Sequence, residues 1–189
     1  MKIISYSDLI INGSDISYQD LLLTFEWRTK RNEIIERDNK RCTKCNFSET
    51  YGHKSFENGK YSYITDDGTE DQITFTNNDG KIVTENIPKL VVTDKPYFLH
   101  VHHKFYVYNQ LPWEYLDTAL VTLCNWCHTE VHQNETIIMY SDRTLQNFEE
   151  LIPCERCNGA GWFPEYKHMQ SGICFKCNGA RFTRALFTK

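Results

Sequence analysis

No stretch of this 189-residue chain stays apolar for long. No run approaches the roughly 18 residues that a membrane-spanning helix requires. The opening Met1-Lys2-Ile3-Ile4-Ser5-Tyr6-Ser7-Asp8 lacks the apolar core of an export signal. Bulk positive charge is missing as well: 21 Lys and Arg stand against 25 Asp and Glu, a formal net charge of -4. That argues against a protein that coats nucleic acid or an anionic membrane by charge alone. There is no low-complexity tract, and no cysteine lacks a near neighbour. With 40% hydrophobic residues a core can still form, in one domain of ordinary size or two small ones.

What is present is a set of eight cysteines in four Cys-x-x-Cys pairs: Cys42/Cys45, Cys124/Cys127, Cys154/Cys157 and Cys174/Cys177. A disulfide framework would come with an export signal and irregular spacings. A Cys-x-x-Cys turn instead holds two thiolates about 3.5 Å apart, half of a tetrahedral zinc shell. The expectation is two structural zinc ions and a cytoplasmic protein. Redox use of one pair would need a thioredoxin-like strand and helix, which no pair has around it. Cys154/Cys157 and Cys174/Cys177 lie 16 residues apart, ordinary zinc-ribbon spacing. That leaves Cys42/Cys45 to join Cys124/Cys127 across 78 residues, a long loop for one metal to close.

Residues 1–24 carry no evident chemistry. Thr24 predicts the cap of a helix running to about Asp38, with Trp27, Ile34 and Ile35 on its buried face. Residues 26–45 hold seven basic against four acidic side chains. Residues 46–98 hold five against nine and read as an inserted meander of hairpins. Its turns are expected at Asp66-Asp67-Gly68 and Asn77-Asn78-Asp79-Gly80, between β-rich runs. A strand is expected from about Phe98 to Tyr108, and a helix from near Asn125 or Trp126. Ser141 to Leu151 predicts a short amphipathic helix, with Leu145, Phe148 and Leu151 on one side. Pro153 marks the boundary of a C-terminal unit whose residues 154–189 carry six basic and two acidic side chains.

Five of the seven histidines fall in two clusters: His100, His102 and His103, then His128 and His132. The i, i+4 spacing of His128 and His132 puts both imidazoles on one helix face, where they can ligate one ion. His102 and His103 are consecutive on a strand, so one can ligate while its neighbour stays free as a base. His100 needs no more than packing or a substrate contact. His53 and His168 read as ordinary polar residues, and His128 has the alternative of completing the structural zinc beside Cys127.

These residues carry a resemblance. Trp27, Arg31, Ile34-Ile35 and Arg37-Asp38, then Cys42-x2-Cys45, Val101-His102-His103 and Leu123-Cys124-x2-Cys127-His128-x3-His132 together resemble the HNH endonucleases. The resemblance implies an α+β fold: a small zinc-stabilised ββα-metal core, treble-clef-like, at residues 25–152, interrupted by the insert at 46–98. It implies that His102, His128 and His132 hold a catalytic divalent ion (Mn²⁺, Ni²⁺, Zn²⁺ or Mg²⁺) and that His103 is the general base. A neutral imidazole can accept a water proton near neutral pH, and an imidazole-rich shell favours a transition ion over Mg²⁺. The sequence departs from the family at Ala119, where an Asn normally braces the loop between the two strands and orients the base. Asn109, Asp117 and Thr118 are candidates to replace it.

Residues 153–189, with Cys154-Glu-Arg-Cys157-Asn-Gly159-Ala-Gly161 and Cys174-Phe-Lys-Cys177-Asn-Gly179-Ala-Arg181, resemble half of a DnaJ-type cysteine-rich zinc domain. Arg181 stands where that pattern has Gly. In the chaperone family such a ribbon contacts protein clients, but the His-Pro-Asp signature of a J-domain does not occur here. The leading expectation is a metal-dependent endonuclease acting on DNA, with Arg28, Lys30, Arg31, Arg37, Lys176 and Arg181 on the phosphates. Given the net negative charge, a protein partner is a possible means of targeting. The alternatives are a non-catalytic zinc module that binds nucleic acid or protein, and a client-binding protein.

Overall fold

The computed structural model describes residues 4–11, 16–57, 60–163, 166, 168–169 and 172–188, with the side chains of 53–57 outside that description. The fold is mixed α+β. Two short helices open it, α1 (Tyr6–Ile11) and α2 (Tyr18–Leu21). A capping box between Ser17 and Asp20 starts α2. Thr24 joins it to α3 (Phe25–Arg37): its hydroxyl donates to the Leu21 carbonyl at 2.8 Å and accepts from the Trp27 amide at 3.3 Å.

Helix α3 ends in a double closure. The Asn39 amide bonds the Glu36 carbonyl and the Lys40 amide bonds the Ile35 carbonyl, with Asn39 and Lys40 at φ 55° and 56°. Asn39 thus takes the left-handed position that usually falls to Gly or Asn. Trp27 and Ile34 are buried on α3 and Ile35 is half-buried. Ile34 is fully enclosed, which is worth about 1.5–3 kcal/mol.

After the first knuckle come three antiparallel strands: β1 (Gly52–Glu57), β2 (Lys60–Thr76) and β3 (Ile82–Thr93). The Asn77–Gly80 turn is present, with the Asn77 carboxamide accepting from the amides of Asp79 and Lys81. Asp66-Asp67-Gly68 is not a turn but a bulge within β2, between the paired residues Asp66 and Glu70. Arg41 grips the buried Asp66 there, and the Asn46 carboxamide donates to the Asp67 carbonyl, so the insert is tied to the first knuckle.

The next strands frame the histidines. β4 (Leu99–His103) pairs antiparallel with β6 (Leu120–Cys124), placing His102 opposite Val121 and His103 opposite Leu120. The expected single strand to Tyr108 breaks after His103, and β5 (Tyr106–Val107) joins a different sheet. Its partners are β7 (Ile138–Tyr140) and β8 (Phe148–Glu150). Helix α4 (Asn125–Asn134) follows β6 directly. Its first residue is clamped to the chain entering β4, because Asn125 and Phe98 exchange two hydrogen bonds of 2.9 Å.

Ser141 to Leu151 is a turn followed by β8, not a helix. The Asp142 carboxylate captures the amide and hydroxyl of Thr144, and Leu145 adopts φ 57°. That local turn, closed by pairing with β7, wins over helical periodicity. Leu151 is buried, whereas Leu145 and Phe148 are exposed. The largest core cluster draws on distant segments: Ile16, Tyr18 and Leu21 pack with Tyr106, Met139, Phe182 and Leu186. Among the described residues, no helix is long and apolar enough to cross a membrane.

Candidate metal centre

Two clusters of four cysteines form, Cys42/Cys45/Cys124/Cys127 and Cys154/Cys157/Cys174/Cys177, and each could hold a zinc ion. All eight thiols are free. Cys45 and Cys124 lie 3.7 Å apart at sulfur, as do Cys157 and Cys177. Thiolates about 2.3 Å from one zinc sit about 3.8 Å apart, whereas a disulfide needs about 2.05 Å. In the first cluster Cys124 caps α4 and its sulfur accepts from the Cys127 amide at 3.4 Å. Hydrogen bonding from Cys124 and backbone amides holds the Cys42 thiol down to about 4. Burial and the neighbouring sulfurs push Cys127 up to about 12. Four thiolates share this space only if a cation joins them.

A third group lies beside the first. His102 of β4 meets His128 and His132 of α4, with their candidate ligand atoms all within 4.8 Å of one another. Strand alternation aims His100 and His102 at α4, and the helical turn stacks His128 above His132. The three are 4%, 8% and 5% exposed, and among the described residues neither ring nitrogen of His132 has a hydrogen-bond partner. Burial lowers all three, with Arg181 acting on each and neighbouring histidines on His128 and His132; His102 falls to about 4 and His132 to about 3. At neutral pH they are therefore uncharged, the form that ligates metal. The donor set fits a transition ion better than Mg²⁺.

His103 points to the opposite face. Its ring stacks between Trp27 and Tyr106 at 5.1 and 5.2 Å and meets the edge of Tyr115 at 4.7 Å. The Pro112 backbone, which has no amide hydrogen to give, acts on this imidazole as a carbonyl acceptor that favours a proton on the ring nitrogen facing it. The other ring nitrogen is then an acceptor, and Nε2 lies 3.3 Å from the Tyr18 hydroxyl. Burial, His102 and Arg181 push this imidazole down to about 3. His100 stacks on His128 at 5.2 Å and against Trp162 at 4.9 Å. A cavity of about 340 Å³ joins His100, His102, His103 and His128 with Arg31 and Arg181.

The expected phosphate contacts divide. Lys30 pairs with Asp117, Lys176 pairs with Glu155, and Arg37 is held by Asp38 and the carbonyls of Asp117 and Leu120. Arg28 is exposed on α3. Arg31 and Arg181 instead line the histidine cavity. His168 is exposed, and the side chain of His53 lies outside the described residues.

Ala119 is buried, and its carbonyl accepts from the Lys104 amide at 3.0 Å. Lys104 Nζ also bonds the Thr118 carbonyl at 2.8 Å. Lys104 thus braces the loop between β4 and β6. Asn109 is occupied with Leu186 and Thr188, and Asp117 with Lys30. Tyr18 was not legible as a site residue. Its one sequence signal is the Ser17–Asp20 box that makes its segment helical, which does not reveal its contact with His103 85 residues away. Set against protein-family models, curated proteins and solved structures, this chain finds no match.

Proposed function

We propose that this protein is a metal-dependent endonuclease of the HNH type that hydrolyses phosphodiester bonds in DNA. In this reading β4, β6 and α4 are its ββα-metal core and the C-terminal residues a DnaJ-like zinc ribbon. One observation carries the reading. His102, His128 and His132 converge to within 4.8 Å of one another, buried and uncharged, beside a cavity that also reaches His103.

A divalent ion held by those three would stabilise charge developing on a phosphate oxygen. The chain's own residues supply the rest. The Pro112 carbonyl fixes the tautomer of His103, leaving Nε2 to accept a proton from water. Trp27 and Tyr106 hold the ring in its plane. Productive attack requires the Tyr18 hydroxyl to yield its place at 3.3 Å to that water. The Asn125–Phe98 clamp keeps α4 against β4, so the three ligands stay together.

The same contacts favour a second reading, a non-catalytic zinc module for nucleic acid or a protein partner. His103 is 4% exposed and caged by aromatics, as a structural residue would be. Cleavage assays on plasmid and RNA with Mn²⁺, Ni²⁺, Zn²⁺ and Mg²⁺ discriminate the two. The nuclease reading expects cleavage with at least one ion, lost in His132→Ala while two zinc equivalents remain bound. No cleavage by any ion in a chain holding both zincs would leave the second reading standing.

A further inference from the structure

The two knuckles of the ribbon repeat each other residue by residue. Asn158, Gly159 and Gly161 have φ 49°, 87° and 73°; Asn178, Gly179 and Arg181 have φ 49°, 80° and 71°. Their backbone bonds repeat crosswise, the Gly161 carbonyl accepting from the Cys174 amide and the Arg181 carbonyl from the Cys154 amide. The same left-handed position thus holds Gly in one repeat and Arg in the other. Left-handed backbone disfavours any residue with a Cβ. An arginine kept there points to a use for its side chain.

That side chain runs over Gly161, its Cγ 2.8 Å from where a Cβ of Gly161 would stand, and into the histidine cavity. Its charge acts on Tyr106 and on His100, His102, His103, His128 and His132. Its Nε is buried and has no hydrogen-bond partner among the described residues. Arg31 lines the same cavity, with Nη2 bound to the Leu99 carbonyl at 2.7 Å. Among the described residues neither arginine makes an ion pair. The carboxylate in the lining, Glu49, is exposed and acts on Arg31 only as a longer-range charge. A third group, His100 Nε2, is buried in the same cavity and has no partner among the described residues.

We propose that the zinc ribbon supplies Arg181 to the histidine cavity as an anion-binding residue, and that Arg181, Arg31 and His100 form a receptor for one phosphate group. The three donors come from the ribbon, α3 and β4, and so approach from separate directions. A tetrahedral phosphate offers acceptors to all three, whereas a planar carboxylate offers them along two. Because the Arg181 carbonyl is bonded to the Cys154 amide, the ribbon's own metal knuckle positions this arginine. The proposal deepens the nuclease reading, since a scissile phosphodiester carries such a group, but phosphate binding can be measured without cleavage.

The test is Arg181→Gly in the full chain. Glycine holds the equivalent position 161 at the same φ, so this variant keeps the fold; two bound zincs and an unchanged or raised unfolding midpoint check that. Titration with inorganic phosphate and with a dinucleotide phosphodiester, at low salt, reads the affinity. Wild type should bind both, and Arg181→Gly should weaken both by about 10- to 100-fold, with Arg181→Lys in between. Equal affinity in wild type and Arg181→Gly overturns the proposal, as does a wild-type chain that binds neither ligand. Arg181-dependent phosphate binding without cleavage or a third metal ion would sink the nuclease reading and leave this one intact. Cleavage unaffected by Arg181→Gly would do the reverse.

Discussion

Replacing His103 is the sharpest test of the chemistry, provided that loss of a base is separated from loss of a packed ring. Alanine removes contacts with Trp27, Tyr106 and Tyr115 at 5.1, 5.2 and 4.7 Å and leaves a cavity costing about 2–4 kcal/mol. It also strands the Pro112 carbonyl and the Tyr18 hydroxyl, adding about 1–3 kcal/mol. Together these approach the whole stability of a small domain, about 5–15 kcal/mol, so an inactive His103→Ala proves little. His103→Gln keeps an N–H for Pro112 and an oxygen for Tyr18, and should destabilise by no more than about 1–2 kcal/mol. It cannot act as a base at neutral pH. Loss of general-base catalysis lowers the rate by about 10²- to 10⁴-fold, or about 2.7–5.5 kcal/mol of barrier. Single-turnover nicking of supercoiled plasmid, beside denaturant unfolding of the same samples, reads both quantities. A folded His103→Gln variant that cuts within about threefold of wild type would refute the base assignment, whatever the alanine variant does.

Gly161→Ala puts a methyl 2.8 Å from Arg181 Cγ at φ 73°, so it should cost about 2–4 kcal/mol in zinc-saturated unfolding; in an Arg181→Gly background about half of that should vanish. Asn125→Ala removes the acceptor for the Phe98 amide and should weaken divalent-ion binding at the three histidines about 10-fold by calorimetry, with both four-cysteine sites still loaded. Asp66→Asn unpairs Arg41 and should cost about 3 kcal/mol. Burial raises the Asp66 pKa, but Arg41 and the Gly68 amide outweigh it and the net shift is downward. Its contribution is therefore complete above the unfolded value of 3.8 and lost as pH falls through the lower folded value, so unfolding titrations of wild type and Asp66→Asn should converge in acid. A strong chelator should release two zincs per chain, take up protons at the freed thiols, and loosen α4 from β4 as judged by hydrogen exchange of the Asn125–Phe98 pair.

Features set by neighbours in the chain could be read before the fold was known. Two cysteines three apart share a turn wherever the chain goes, and that turn is half of a metal shell. Thr24 caps α3 because its hydroxyl needs only the next turn of backbone. His128 and His132 share a helix face because four residues make about one turn. Helical periodicity failed as a guide where a competing local bond wins, as with Asp142 and Thr144. Turn composition failed at Asp66-Asp67-Gly68, where long pairing with β3 absorbed the expected turn as a bulge.

By itself, then, the sequence determined which side chains come in pairs and which short elements carry them. Tertiary structure decided what those side chains meet, because each decisive contact at the cavity joins residues far apart in the chain. Tyr18 reaches His103 across 85 residues, and Arg181 enters a cavity that β4 shares with residues of α3 and α4. Of six basic residues read alike as phosphate contacts, three are spent on ion pairs and two face the histidines. Charge is a property of the residue, but its availability depends on which carboxylates and carbonyls the fold brings within reach.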